Sequence, residues 1–220
     1  MENVFKLSRR LFVKSAFALA TLVAAEMMKP VPARAACIPT PRETAGPFYP
    51  LKLPLDKDND LTFVNRPSQK ALGEVILIQG RVRDESCQPV AGALVEIWQA
   101  CTTGKYNHPG DSNSAALDPH FQYWGKATTN AKGEYGFKTV KPGSYPVHWF
   151  WTRPPHIHFT VRSRSHLPLT TQMYFFGDPL NAKDRLFRKH SPTEQAQCTV
   201  LFRKVDHLPV GQFDLTLRKT

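Results

Sequence analysis

Short stretches of alternating apolar and polar residues dominate the chain from about residue 74 onward. In the last of them, Phe213, Leu215 and Leu217 alternate with polar residues, which places one face in a core and the other in water. Period-two patterning broken by frequent turn signals is typical of antiparallel sandwiches. The chain is therefore predicted to be all-β, an antiparallel β-sandwich with long loops and little helix, whose strands cover residues 75–82, 93–98, 135–140, 156–161, 169–176 and 213–217.

The remaining segments differ in composition. With 220 residues and 41% hydrophobic positions, the chain has enough apolar surface for one core, assigned to residues 74–220. Residues 36–73 are rich in Pro and polar groups, which predicts an extended N-terminal arm with little core of its own. Within residues 178–208, which are less periodic, Ser191 and Glu194 are spaced for a short capped helix. The turn order in residues 80–97 and 130–145 is shared by transthyretin-like modules, which indicates fold and not function.

Residues 1–35 resemble a twin-arginine export signal. A Ser-Arg-Arg-Leu-Phe-Val-Lys run at 8–14 precedes an apolar stretch, and Ala33-Arg34-Ala35 offers a small-x-small cleavage site. The alternatives are a plain secretory signal and an uncleaved anchor. The stretch of about ten apolar residues is too short to span a bilayer, and Arg34 is wrong for a lipoprotein site, so no stable membrane anchor is expected. The resemblance implies a bacterial protein that is periplasmic or secreted.

The net charge of +11 does not indicate a nucleic-acid partner. Lys and Arg number 29 against 18 Asp and Glu, and +4 of the excess lies in residues 1–35, which leaves +7 for the rest. The remaining basic residues are scattered and form no block interleaved with aromatic residues, as a nucleic-acid surface would require. A solvated basic surface is the simpler interpretation.

The chain has four cysteines, Cys37, Cys87, Cys101 and Cys198. An oxidising compartment permits disulfides, and four cysteines allow three pairings. Cys87 and Cys101 bracket one predicted strand, which puts them too far apart to be bonded to each other. No pair has the CxxC spacing of a zinc site.

Two histidines on one predicted strand are candidates for metal binding. In the run Arg153-Pro-Pro-His-Ile-His-Phe159, His156 and His158 project to one face of the strand, while Ile157 and Phe159 face the core. Two imidazoles on one face make half of a metal site. Taken alone, this pattern is also consistent with a coincidence on the surface, so the interpretation requires further ligands.

Four separated motifs stand out along the chain. They are Trp-Gln-Ala at 98–100 followed by Gly-Lys-Tyr106, Lys-Pro-Gly-Ser-Tyr145-Pro, Arg153-Pro-Pro-His-Ile-His-Phe, and Thr-Gln172-Met-Tyr-Phe. Together they resemble the intradiol ring-cleavage dioxygenases, closest to the branch of the protocatechuate 3,4-dioxygenases. Their order and approximate spacing match the family from residue 44 to about residue 179. The segment 44–49 is supportive only.

The resemblance implies a mononuclear non-haem Fe(III) held by Tyr106, Tyr145, His156 and His158. In the family, the counterpart of Tyr145 is an axial ligand that leaves when substrate binds, the counterpart of His158 is the opposite axial ligand, and those of Tyr106 and His156 are equatorial. The same resemblance makes Arg153 the group that stabilises negative charge on the substrate and Gln172 a polar group beside it. The reaction implied inserts both atoms of O2 into a catechol-type, protocatechuate-like ring and cleaves it between the hydroxyl-bearing carbons to a cis,cis-muconate.

These ligand types suit ferric iron. Because free tyrosine has a pKa of about 10, two phenolates at neutral pH require a strong Lewis acid beside them. Hard anionic oxygen donors favour Fe(III), and no carboxylate is evident that would complete the two-His, one-carboxylate set of Fe(II) oxygenases.

Two other classes compete with this interpretation, a non-catalytic exported binding module and a copper or zinc protein that uses His156 and His158. The sequence leaves the identity of the catechol open, because Val147 stands where the protocatechuate enzymes usually have Trp. It also leaves open whether the chain forms a homo-oligomer or needs a related second chain. Aromatic residues at 149–151 fit a pocket wall or the core equally, and three further histidines, at 108, 120 and 148, fit the mouth of the site or the surface.

Overall fold

The computed structural model describes residues 37–54, 57–64 and 69–220. The export signal predicted for residues 1–35 lies outside this part. Within the described residues, no helix is long and apolar enough to cross a membrane.

Strands and one short α-helix make up the regular structure of the described residues. The strands are β1 (Val75–Asp84), β2 (Leu94–Trp98), β3 (Trp124–Thr128), β4 (Glu134–Val140), β5 (Tyr145–His148), β6 (Trp151–Arg153), β7 (His156–Ser163), β8 (His166–Phe175), β9 (Thr199–Val200), β10 (Phe202–Val205), β11 (Leu208–Gln212) and β12 (Leu215–Leu217). The helix is α1 (Pro192–Cys198), and single 3-10 turns occur at Asn181–Lys183 and Phe187–Lys189.

Two five-stranded sheets pack face to face and confirm the predicted sandwich. In the first, β1 pairs with β4 on one side and with β11 and then β12 on the other, and β10 completes the edge. The second has the order β3-β2-β7-β8-β9. Strands β5 and β6 form a separate two-stranded hairpin. The sheets are not purely antiparallel, because β1 pairs in parallel with β11 and β12, and β8 with β9.

The core lies between the two sheets and is lined by alternate residues of their strands. On β7, Ile157, Phe159 and Val161 are fully buried in it, as the alternation predicts. The opposite face of β7 carries His156 and His158, and this face is covered by loops instead of a second sheet. Both faces of β7 are therefore buried, one in the core between the sheets and the other beneath the covering loops.

The alternation in the sequence did not predict every strand. Strands β3, β5 and β6 were not predicted, and neither were the short strands β9, β10 and β11. The capped helix was predicted correctly: the Ser191 side chain accepts from the amide of Glu194, and the Glu194 carboxylate accepts from the amide of Ser191, which forms a capping box at α1.

The arm at residues 36–73 has no helix or multi-residue strand among its described residues, yet it contributes to the core. Leu61 is fully buried against the sandwich, and its amide donates to the carbonyl of Lys138. A disulfide between Cys37 and Cys87 ties the start of the arm to the turn after β1, with the two Cα atoms 5.2 Å apart. Cys101 and Cys198 are free and buried.

Candidate active site

The strand register brings five polar or aromatic side chains to the loop-covered face of the second sheet. His158 lies opposite Trp98 on β2 and opposite Gln172 on β8, and His156 lies opposite Tyr174. Directly opposed residues on neighbouring strands point to the same face, so all five side chains share it. The Trp98 indole stacks on the His158 imidazole with ring centroids 4.8 Å apart and planes within 6°, which fixes the orientation of that imidazole.

Two glycine-bearing loops bring Tyr106 and Tyr145 over these histidines. The carbonyl of Cys101 accepts hydrogen bonds from the amides of both Gly104 and Gly143, each at 3.0 Å. A Cβ at Gly104 would lie 2.2 Å from the carbonyl oxygen of Ser144, so the two backbones meet at a distance that only glycine permits. Tyr106 and Tyr145 follow these contacts directly, and their rings lie edge to face with centroids 5.5 Å apart.

The structure brings together the four side chains predicted as metal ligands. The ring centroids of His156 and His158 are 5.0 Å apart, and those of Tyr145 and His156 are 5.7 Å apart. The His156 Nδ1 atom lies 2.7 Å from the carbonyl of Pro154 and donates to it, so Nε2 keeps its lone pair. That Nε2 lies 3.4 Å from the Tyr106 hydroxyl oxygen.

The N-terminal arm closes the site from the side opposite the sheet. The Phe48 ring lies 4.8 Å from the Tyr106 ring and 6.2 Å from the Tyr145 ring. The neighbouring Tyr49 packs edge-on against Trp98 at 5.0 Å, and its hydroxyl donates to Glu96 over 3.1 Å. This packing accounts for the burial of Tyr106, and the arm is thus part of the site.

Arg153 and Gln172, predicted beside the substrate, lie in one buried hydrogen-bond network. Arg153 stands directly opposite Tyr145 in the β5–β6 hairpin. Its Nη2 donates to the Gln172 amide oxygen over 2.7 Å, and its Nε donates to Asp184 Oδ2 over 2.7 Å. The Gln172 amide nitrogen donates to the carbonyl of Thr44, which links the network to the arm. Arg153 also donates to the Tyr174 hydroxyl over 3.3 Å, so three side chains hold it.

Burial and the Arg153 charge set the protonation of the site. Burial raises the pKa of Tyr106 well above its ordinary value, and the neighbouring Tyr145 raises it further. Burial also raises the pKa of Tyr145, against the opposing charge of Arg153. Burial, reinforced by the Arg153 charge, lowers the pKa of His156 well below its ordinary range and that of His158 to about 3. At neutral pH the protein alone therefore presents two phenols and two neutral imidazoles.

The donor set fits a hard, strongly Lewis-acidic metal ion. The His156 Nε2 lone pair faces a phenol, and burial keeps the His158 imidazole neutral, so both rings have a lone pair to offer. Two neutral imidazoles and two phenol oxygens around one space supply two nitrogen and two potential anionic oxygen ligands. In the part of the chain that the structure describes, no three His, Cys, Asp or Glu side chains gather to hold a metal.

Sequence reasoning missed Asp184. This carboxylate is fully buried, accepts from Arg153 and from the Trp151 indole nitrogen at 3.2 Å, and caps the amides of Leu186 and Phe187. A signal existed: Asp184 is the one acidic residue in the basic segment 179–193. Such a lone carboxylate among cations is often the partner of a charge elsewhere in the fold.

The aromatic residues at 149–151, left open by the sequence, do not belong to the core. Trp149 is 93% exposed and Phe150 55% exposed at the tip of the β5–β6 hairpin. The three histidines outside the ligand set, at positions 108, 120 and 148, are each partly buried.

This β-sandwich, with Tyr106 on a loop and Tyr145 at the start of β5 near two histidines of β7, is of the intradiol class of ring-cleaving dioxygenases. A family model described as dioxygenase matches residues 44–197. The chain belongs to the intradiol ring-cleavage dioxygenase family, whose members generally depend on non-haem iron.

Named relatives agree with this assignment. The chain is 44% identical over 190 residues to the protocatechuate 3,4-dioxygenase beta chain of Burkholderia cepacia, covering 80% of this chain and 78% of that one. It is 33% identical over 196 residues to catechol 1,2-dioxygenase 1 of Acinetobacter lwoffii, covering 81% of this chain and 61% of the relative. The chain thus spans less than two thirds of the catechol enzyme.

Solved structures show the same fold. The dioxygenase domain of a carbohydrate-binding fusion protein from Streptomyces sp. SirexAA-E superposes with a TM-score of 0.62 at 29% identity, covering 83% of this chain and 100% of that domain. The 3-chlorocatechol 1,2-dioxygenase of Rhodococcus opacus 1CP superposes with a TM-score of 0.65 at 20% identity, covering 92% of this chain and 78% of that one.

Proposed function

We propose that this chain is a ferric intradiol dioxygenase that cleaves a catecholic ring between its two hydroxyl-bearing carbons, with Fe(III) held by Tyr106, Tyr145, His156 and His158. The observation that carries the proposal is the convergence of these four donors in one buried space, with the His156 Nε2 lone pair 3.4 Å from the Tyr106 hydroxyl. The names of the relatives, which are dioxygenases of protocatechuate and catechol, support a catecholic substrate.

When bound, Fe(III) would supply the Lewis acidity that turns the phenols and the catechol hydroxyls into anions and makes the aromatic ring reactive toward O2. The chain supplies the rest. His156 and His158 stay neutral because burial disfavours their protonation, so their lone pairs remain available. Tyr145 is the first residue of strand β5 in the two-stranded hairpin. It would hold the metal as a phenolate and would accept the proton of one catechol hydroxyl at its Oη when substrate enters.

Arg153 places a fixed positive charge beside the reacting ring. Arg153 is buried, with 4% of the residue exposed. Burial acts to lower the pKa of its guanidinium, but the neighbouring Tyr174, Tyr145 and Asp184 raise that pKa overall, so the group stays charged. A preorganised cation in a water-excluded site stabilises negative charge that develops on the ring. Gln172 fixes the position of this charge through its 2.7 Å hydrogen bond, and Phe48 and Trp98 exclude water from the site.

The test is the colour, metal content and oxygen uptake of the purified protein. Phenolate-to-iron(III) charge transfer should give a red-brown solution with one iron per chain, and catechols should consume equimolar O2 and yield cis,cis-muconates. Tyr106→Phe should remove the colour and the activity. The matched control is Tyr135→Phe, because Tyr135 is equally buried but its hydroxyl donates to the carbonyl of Phe213, away from the site. A colourless, iron-free protein with no oxygen uptake overturns the proposal.

We further propose that the protein is exported through the twin-arginine route and works in the periplasm or outside the cell. The support is the paired-arginine run at Arg9-Arg10 and the cleavage site at residues 33–35. Fractionation of cells that express the chain should place it outside the cytoplasm. Replacement of Arg9-Arg10 by Lys-Lys should retain it inside, and export that persists after this change contradicts the route.

We also propose that the protein is an oligomer, built from its own copies or with a related second chain. The Burkholderia cepacia relative is named as a beta chain, which implies a partner for that protein. Light scattering of the purified chain tests this directly. A monomer that is fully active rules out both forms of assembly.

A further inference from the structure

A chain of hydrogen bonds leads from Arg153 to the N-terminal arm. The Arg153 Nη2 atom donates to the Tyr174 hydroxyl over 3.3 Å. The same hydroxyl lies 3.4 Å from the carboxylate oxygen Oε1 of Glu43, a residue of the arm. Tyr174 is fully buried on β8, and the Glu43 side chain is only 7% exposed. The proposed electrostatic catalyst is therefore joined to the arm through one phenol.

The Tyr174 hydroxyl has one proton and two acceptors at equal distance. Glu43 Oε1 and the Gln172 amide oxygen each lie 3.4 Å from it. A phenol with its ordinary pKa of about 10 keeps its proton at neutral pH, and burial raises the pKa of Tyr174 further. Because a carboxylate accepts a hydrogen bond more strongly than an amide oxygen does, the proton points to Glu43. The Gln172 oxygen is then left to Arg153, which donates to it over 2.7 Å.

His190 holds the Glu43 carboxylate in place. Its Nε2 lies 2.7 Å from the same oxygen that faces Tyr174, and His190 is the donor because a carboxylate has no proton. The other ring nitrogen of His190 faces Glu194 Oε2 at 3.9 Å, in the first turn of α1. The Glu43 amide donates to the carbonyl of Thr170 over 2.8 Å, which fixes its backbone to β8. Glu43 is thus held both by the sheet and by the loop before α1.

Removal of the Glu43 charge would change the bonds of Arg153. The Tyr174 proton would turn to the Gln172 oxygen, and Arg153 and Tyr174 would then compete for one amide oxygen. A phenol that donates to a carboxylate also becomes more negative at its own oxygen, so it accepts more strongly from Arg153. Both effects hold the guanidinium in place only while the carboxylate is present.

We propose that Glu43 and His190 form a positioning pair for Arg153, acting through the hydroxyl of Tyr174. This inference rests on the proposed ring-cleavage function and adds one residue of the arm and one of the loop before α1 to the groups that set its rate. The pair acts on the charge that stabilises the reacting ring. Its loss should therefore lower kcat and leave the binding of the substrate nearly unchanged.

The first variant is Glu43→Gln, which keeps the size of the side chain and removes its charge. With catechol as substrate, kcat should fall about threefold to tenfold, the scale of one hydrogen bond, while KM changes less than twofold. His190→Ala should lower kcat in the same way. The kcat of His190→Gln should lie between those of His190→Ala and the unaltered protein, because the glutamine amide nitrogen can replace Nε2 as the donor.

Tyr174→Phe separates positioning from a general loosening of the arm. It removes the link, so in this background Glu43→Gln should cause no further fall in kcat. Arg42→Ala is the matched control, because the Arg42 Nη1 donates to the Pro168 carbonyl over 2.6 Å and anchors the arm one residue earlier. It should leave kcat unchanged. The proposal is overturned by full activity of Glu43→Gln, by a loss that persists in the Tyr174→Phe background, or by an equal loss in Arg42→Ala.

Unfolding in guanidinium gives a readout that does not need turnover. Glu43→Gln and Tyr174→Phe, made singly and together, should show a coupling in the free energy of unfolding, and strictly additive losses contradict the bond between them. Turnover of catechol by the unaltered protein separates the two levels. Without it the ring-cleavage proposal fails, while the unfolding cycle still decides whether Glu43 acts on Tyr174.

Discussion

Arg153 and Asp184, 31 residues apart in the chain, form a buried ion pair in which Nε donates to Oδ2 over 2.7 Å. The same oxygen of Asp184 accepts from the Trp151 indole nitrogen at 3.2 Å. The carboxylate therefore joins the hairpin that bears the proposed electrostatic catalyst to a loop outside both sheets. Asp184 is a positioning residue, because it acts through Arg153.

Asp184→Asn should reduce kcat more than it changes KM. Asparagine keeps the shape but leaves the Arg153 guanidinium without its counterion, and a buried charge that has lost its partner destabilises its surroundings. We expect kcat to fall by up to about a hundredfold, the lower end of the loss seen when one electrostatic donor is removed outright. Iron content and the charge-transfer band should be retained, since Asp184 is not in the donor set.

The control for this change is Asp178→Asn in the same loop. Asp178 Oδ1 accepts from the amide of Leu180, and an asparagine oxygen can do the same. This variant should keep its kcat. Full activity in Asp184→Asn, or an equal loss in both variants, contradicts the positioning role.

Gly104→Ala should abolish iron binding while leaving most of the fold intact. Gly104 has a φ of +81°, and a Cβ there would lie 2.2 Å from the Ser144 carbonyl, so the two tyrosine loops must separate. Gly92→Ala is the matched control: its φ is +70°, but nothing lies within 4 Å of its Cβ position. Both variants carry about 1–2 kcal/mol of backbone strain. Only Gly104→Ala should lose the metal, as measured by elemental analysis and the visible spectrum, and equal iron content in both would contradict the role of the contact.

The face of the strand that carries His156 and His158 could be predicted, because period two fixes which side each residue occupies and Ile157 and Phe159 identify the core side. The approach of Tyr106 to Tyr145 could not be derived in this way. It depends on two loop backbones in contact at Gly104, and non-periodic segments carry no directional signal. The resemblance supplied those tyrosines, and the fold shows how they meet.

The strands that pair with β1 and the carboxylate that pairs with Arg153 could not be predicted from the sequence, for a related reason. β1 pairs in parallel with β11 and β12, which follow it by more than 120 residues in the chain. Leu77 lies beside Val210, and Val82 lies beside Leu215. The alternation of apolar and polar residues identifies a strand but does not identify the strand that pairs with it. Likewise, a single ion pair such as that with Asp184 leaves no periodic trace, and only the isolation of this carboxylate among cations indicated it.

The two free thiols should be unreactive in the native protein. Cys101 and Cys198 are fully buried, and burial raises the pKa of Cys198 to about 12. The thiolate needed for reaction is therefore scarce at pH 8. A disulfide-exchange reagent at pH 8 should label no thiol rapidly in the folded protein, two after unfolding in guanidinium, and four after reduction. Rapid native labelling that disappears in Cys198→Ser contradicts the burial of this residue.

Asp84 should make the stability of the protein depend on pH in the acid range. Burial alone would raise the pKa of Asp84, but Lys219, at 2.9 Å, and the amides of Gln88 and Ser86 lower it below its ordinary value of 3.8. A carboxyl whose pKa is lower in the folded state stabilises the fold at any pH above its pKa in the unfolded state. This contribution is lost as the pH falls through the pKa of the folded state.

Asp84→Asn should therefore lower the Tm at pH 7, and the difference from the unaltered protein should shrink at pH 3. In a Lys219→Gln background, the loss caused by Asp84→Asn at pH 7 should be smaller, because one of the groups that lowers the pKa is already gone. Thermal unfolding followed by circular dichroism at pH 7, 5 and 3 measures all four proteins, and a Tm difference that does not vary with pH contradicts the assignment.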